Sequence, residues 1–168
     1  MKKLSLFASA VLLLIMVSCG PTQNEAITYN DNITGIIDGL TIEHTLFLDQ
    51  IDGHNIDSLK ISHKLFVDKA TTSLEASKKI GPFADKKEFA DVANDYFKTL
   101  HSIATVEGTQ MVEIMSKDST QITQADLDKI TEIATKFDAD YDNAYNKIQA
   151  AQMKFAKEWK FTLDENKK

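Results

Sequence analysis

The chain has 168 residues, of which 43% are hydrophobic and 26% charged, and its formal charge is −6. Mixed charge with ordinary apolar content argues against disorder. An acidic balance without a dense Lys/Arg run argues against a nucleic-acid partner. A single cysteine excludes an intrachain disulfide framework and any Cys-x-x-Cys zinc or haem motif.

Residues 1–18 read as a leader. Met1-Lys2-Lys3 is a basic start, and the apolar run from Leu4 to Val17 is short for a bilayer span, which needs about 20 residues. A small residue then stands directly before the only cysteine. Met16-Val17-Ser18-Cys19 resembles a bacterial lipobox, with Met16 where Leu, Val or Ile is usual. The resemblance implies cleavage before Cys19 and acylation of its sulfur. The bland alternatives are a short membrane anchor or a plain secretory signal with an incidental cysteine. Losing Lys2 and Lys3 with the leader brings the charge to −8.

Residues 19–22 form the lipidated cysteine and a short tether, and 23–163 a helical domain. Thr22-Gln23-Asn24-Glu25 has the pattern of a capping box, so a first helix starts there and runs to about Asp52. Its seam is Ala26, Tyr29, Ile33, Ile36, Leu40, Phe47 and Ile51. Asp52-Gly53-His54-Asn55 is a turn in which Asn55 caps the second helix. That helix carries Leu59, Phe66, Ala70 and Leu74 and is expected to end at Ile80, where Gly81 takes a left-handed position and Pro82 blocks continuation. Asp85 with Glu88 is expected to start the third, bearing Phe89, Val92, Tyr96, Leu100, Ile103, Met111 and Ile114. Gly108 inside that pattern weakens the case for an unbroken helix, at about 1 kcal/mol against Ala. After a loop from Lys117 to Ile122, Thr123 with Asp126 opens the fourth. There Leu127, Ile130, Ala134, Phe137, Tyr141, Ala144, Ile148, Ala151 and Phe155 recur in alternating steps of three and four, the seam a helix shows to its neighbours. Trp159 to Leu163 is the last apolar cluster, and 164–168 is a polar tail.

Four long helices joined by short connections predict an all-α, antiparallel, up-down-up-down four-helix bundle. Bundles often hold cofactors between their helices, but no Glu here is followed by His three residues later, as a di-iron site requires. Zinc-protease, nucleophile-elbow and phosphate-loop motifs are missing too. No catalytic residues, cofactor or enzymatic activity are expected.

One constellation merits weighing. His44 and His63 lie at similar distances either side of the Gly53 turn, so an antiparallel hairpin brings them to one level, with His63 on the seam and His44 on its flank. Glu107 and Gln110 on the third helix reach that level. The sharper reading is a metal or small-ligand site of imidazole and carboxylate. The blander one, a polar layer that fixes register, is favoured because two histidines on different helices coincide easily. His54 and His101 are expected on the surface.

Three stretches resemble one known group. They are Ala26-Ile27-Thr28-Tyr29-Asn30-Asp31, the Gly81-Pro82-Phe83 break before Phe89 and Tyr96, and the end Ala151-Gln152-Met153-Lys154-Phe155-Ala156-Lys157-Glu158-Trp159. Together they are similar to the small all-helical bacterial surface lipoproteins first named from a spirochaete surface protein and common in Bacteroidetes-like genomes. The resemblance implies a lipidated protein of the cell envelope, expected to meet the outer membrane through its lipid and an envelope protein as partner. It brings no catalytic residues and only Cys19 as a modified position.

Overall fold

The computed structural model describes residues 20–53 and 55–163. Five α-helices fill it: α1 (Gln23–Asp52), α2 (Ile56–Ser77), α3 (Glu88–Ser102), α4 (Gly108–Met115) and α5 (Gln124–Glu158). A π-helical turn, Ile103–Glu107, joins α3 to α4 without interruption, so these three pieces form one rod and the fold is a bundle of four. Among the described residues there is no strand, only an isolated bridge between Phe83 and Lys86.

The helix starts follow from local hydrogen bonding. Thr22 and Glu25 cap each other's backbone reciprocally, and Thr123 and Asp126 do the same for α5. The Asn55 side chain accepts from the Ser58 N–H at 2.9 Å.

Contacts between helices fix the direction of each. As numbers climb on α1 they fall on α2: Tyr29 meets Gly81, His44 meets Phe66 and Phe47 meets His63. From α2 to the third rod, Ser77 meets Asn94 and His63 meets Ala104. From that rod to α5, Phe89 meets Phe155 and Glu107 meets Lys136. The circuit closes through Gln23 with Lys160, Asn30 with Gln152 and His44 with Phe137. Every neighbouring pair is therefore antiparallel. The start of α1, the α2–α3 connection and the end of α5 share one end of the bundle; the α1–α2 turn and the Lys117–Ile122 loop share the other.

The core is one continuous cluster from Ala26 to Phe155, with Ile33, Leu40, Phe47, Leu59, Phe66, Tyr96, Phe97, Leu100, Ile103, Phe137 and Ile148 buried in it. Tyr29, Ile36, Ile51 and Leu74 pack at its edge.

Several expectations need correcting. The second helix stops at Ser77 rather than Ile80, and Gly81 is not left-handed. The left-handed residues of this connection are Ala84 (φ 50°) and Asp85 (φ 64°). They sit at the centre of a tight turn whose flanking Phe83 and Lys86 exchange backbone bonds of 3.0 and 2.9 Å. Asp85 is thus spent on the turn, and the third helix starts at Glu88 with no side-chain cap. On α5, Leu127 is 48% exposed, and Ile133, off the heptad seam, is buried. A straight helix turns once per 3.6 residues, so a strict seven-residue seam drifts away from the core over four heptads. His101 is half-buried, not fully exposed, and His54 lies outside the described residues.

Candidate functional site

The histidine layer forms, but with its members exchanged. His44 of α1, expected on the flank, is the buried one at 5% exposure. Its ring lies 5.3 Å from Phe66, 5.4 Å from Phe137 and 4.6 Å from Tyr141, and its Nε2 has no hydrogen-bond partner. Burial in this aromatic box lowers its pKa from 6.5 to about 4, so the imidazole is neutral. His63 of α2, expected on the seam, is half-buried. Its Nε2 sits 2.9 Å from the Ala104 carbonyl, an acceptor only, so that nitrogen carries the proton.

The π turn makes this bond possible. The Gly108 N–H reaches back to Ile103 O, one residue further than in an α-helix, and so passes over Ala104 O. A Cβ on Gly108 would stand 3.1 Å from His63 Cδ2 and Nε2, so glycine is what lets the imidazole approach.

Glu107, within the same turn, is buried, and Lys136 of α5 pairs with one of its oxygens. The same ammonium holds Asp140 at 2.7 Å. The second Glu107 oxygen is buried without a partner. Gln110, expected in this layer, is exposed. One turn C-terminal to the π segment its side chain has rotated off the inward face. Nothing in the spacing of Lys136 marked it as Glu107's partner, because that pairing depends on helix rotation.

The Phe47–Phe66 pair, with ring centroids 5.7 Å apart, stands between the two imidazoles: His44 packs on Phe66 and His63 on Phe47. Among the described residues no three His, Cys, Asp or Glu side chains converge as a metal site would require.

A concavity lies elsewhere, at the end of the bundle where α1 begins. It has a volume of about 530 Å³ and lies between α3 and α5. Its walls are Tyr29, Phe83, Phe89, Ala151, Phe155 and Trp159. The rings support one another: Tyr29 lies 5.0 Å from Phe83, Phe83 4.8 Å from Trp159 and Phe89 5.1 Å from Phe155. The Tyr29 hydroxyl donates to Gly81 O at 2.8 Å and has its pKa raised, by burial first and by Asp91 second. The charged residues that line it are all exposed: Lys154 meets Glu88 at 2.5 Å, Lys86 meets Glu158, and Asp91 and Lys147 complete the set. Sequence reading placed Tyr29, Phe89 and Phe155 on helix seams by period, and Phe83 and Trp159 outside them, in a chain break and a late apolar cluster. Their concentration at one end was the available signal, since antiparallel helices bring positions 29, 83, 89, 155 and 159 together.

A third surface feature lies nearer the opposite end. Ile42 and Leu46 on α1 and Ile61 and Leu65 on α2 are all exposed. Four-residue spacing puts each pair on one helix face, and the register that joins His44 to Phe66 sets Leu46 across from Leu65.

Fold and contacts define an all-α antiparallel four-helix bundle. Set against family models, curated proteins and solved structures, the chain matches none of them. No described helix is long and apolar enough to cross a membrane.

Proposed function

We propose that the chain is a lipid-anchored helical bundle of the bacterial cell envelope, held at the outer membrane through Cys19 and working as an interaction or structural module without catalysis. The observation that carries this reading is how close Cys19 stands in sequence to the start of α1. Only Gly20 and Pro21 separate that residue from Thr22, whose reciprocal cap with Glu25 starts α1. A basic start, an apolar run, a small residue and the lone cysteine stand immediately before a folded domain, the arrangement of a processed lipoprotein. The resemblance to the helical surface lipoproteins supports the same location.

The exposed aliphatic strip on α1 and α2 supports an interaction module, since apolar residues clustered on a surface mark contact sites more often than chance does. Ligand binding by a His44/His63 layer gains no support from the geometry. Two phenyl rings part the imidazoles, and the Glu107 carboxylate is held by Lys136.

Changing Cys19 to Ala tests the anchor. The variant is expected to stay as an unprocessed precursor and to leave the membrane fraction in which the wild type is found. A wild-type chain whose mass shows neither cleavage before Cys19 nor added acyl groups would overturn the proposal.

A further inference from the structure

The groove between α3 and α5 has the shape and polarity for one class of ligand. At about 530 Å³ it lies within the usual range of ligand pockets, about 300–1,000 Å³. It follows α5 from Lys147 to Glu158, a run of about 17 Å at 1.5 Å per residue. That is close to the hydrocarbon of one bilayer leaflet, about 15 Å. The walls are aromatic and aliphatic, and the Tyr29 hydroxyl is already engaged. A polar ligand would lose its hydration there without finding partners, whereas an unbranched hydrocarbon chain loses nothing. Two ion pairs, Lys154–Glu88 and Lys86–Glu158, lie at the mouth. Pairs this exposed are worth little and part readily.

The entry of the chain into the bundle identifies the source of that hydrocarbon. The Gln23 side-chain amide donates to Lys160 O, the residue after Trp159, which closes one end of the groove. Cys19 stands four residues before Gln23, a reach of at most about 14 Å at about 3.3–3.6 Å per residue. An acyl group on its sulfur therefore starts within range of the Trp159 end. We propose that the groove holds one acyl chain of the protein's own lipid, carried on Cys19. This rests on the lipid-anchor reading above. The acyl chain would then divide its time between groove and bilayer. Each chain withdrawn loosens the hold on the membrane, because stable anchoring takes more than one.

Trp159 is the only tryptophan and Cys19 the only cysteine, so the groove can be read and the anchor mimicked at single positions. Residues 19–168 contain every described helix and every core contact among the described residues, and can be made unacylated with a free thiol at Cys19. Titration with brominated stearic acid is expected to quench Trp159 fluorescence saturably, at one molecule per chain. Ala150→Phe, at an exposed position lining the groove, should weaken that binding at least tenfold while leaving thermal unfolding unchanged. Attaching a hexadecyl chain to Cys19 through a disulfide should block quenching to a similar degree, and reducing the disulfide should restore it. No saturable quenching of the free-thiol chain would show that the groove takes no acyl chain. Quenching that persists after hexadecylation would show that the occupant comes from elsewhere, and would overturn the proposal equally. The acyl chain here is attached chemically, so failure of cellular acylation, read from the mass of the native protein, is a separate result.

Discussion

His44 and Gly108 show how much a single position does in this bundle. The imidazole of His44 is boxed by Phe66, Phe137 and Tyr141 with its Nε2 unpartnered, and burial drops its pKa from 6.5 to about 4. The sign of the pH effect follows. Above pH 6.5 the ring is neutral folded and unfolded, and contributes no pH dependence. As pH falls from 6.5 towards 4 the unfolded chain binds the proton first, so stability declines, by on the order of 3 kcal/mol at the lower limit. His44→Leu, similar in volume, should flatten that part of the profile, measured by urea unfolding at a series of pH values. A profile as steep as that of the wild type would show that other groups set it. Gly108 reverses an expectation drawn from helix propensity, which would have Ala stabilise by about 1 kcal/mol. The added Cβ would press on His63 at 3.1 Å and on Ile103 O at 3.3 Å, and overpacking of this kind costs about 1–3 kcal/mol. Gly108→Ala should therefore lose about 1 kcal/mol net in denaturant unfolding, and a gain in stability would show that His63 moves aside freely.

Among the elements, α5 does most to close the bundle. It packs along the third rod from Phe89–Phe155 to Glu107–Lys136 and returns to α1 through Asn30–Gln152 and His44–Phe137. Phe137 and Ile148 are buried on its inner face. Truncating either to Ala should cost about 2–5 kcal/mol in chemical denaturation. Leu127, on the same seam by spacing but exposed, should cost under about 0.5 kcal/mol when changed to Ala. Equal losses at Leu127 and Phe137 would contradict the drift of the seam away from the core. The π turn matters at this scale as well. It keeps the third rod continuous through Gly108 while shifting the hydrogen-bond ladder by one residue, and so aims Glu107 at Lys136 and opens Ala104 O to His63.

For the whole molecule, the proposed anchor and the antiparallel order together imply an orientation. If Cys19 is acylated as proposed, the end bearing the start of α1, the α2–α3 connection and the aromatic groove is expected to rest against the membrane. The 35 residues of α5 then carry the Lys117–Ile122 loop about 50 Å outward at 1.5 Å per residue. Acylation also removes the only thiol, so a cysteine introduced at exposed Lys79 or Ser119 takes a spin label cleanly. In vesicles the label at 79 should lie near the head groups and the label at 119 well clear of them, as read by collision with membrane-partitioned oxygen. Equal or reversed depths would rule out this orientation.

The helices, the starts of the first, second and fourth, and the all-α class were legible in the sequence because they depend on near neighbours. Thr22 with Glu25, Asn55 with Ser58 and Thr123 with Asp126 satisfy backbone groups three residues away, and apolar spacing alone marks Phe47, Phe66, Phe137 and Ile148 as inward-facing. Antiparallel order followed from the short connections. The tertiary structure decided which histidine is buried, where the chain turns left-handed, what Glu107 pairs with and that an aromatic groove opens at one end. Each of these depends on how far one helix is rotated and slid against another. A shift of one residue in the π turn turns the following side chains by about 100°, enough to bring Glu107 inward and leave Gln110 in solvent. Spacing along one helix is blind to such rotations, because they are chosen by packing across all four.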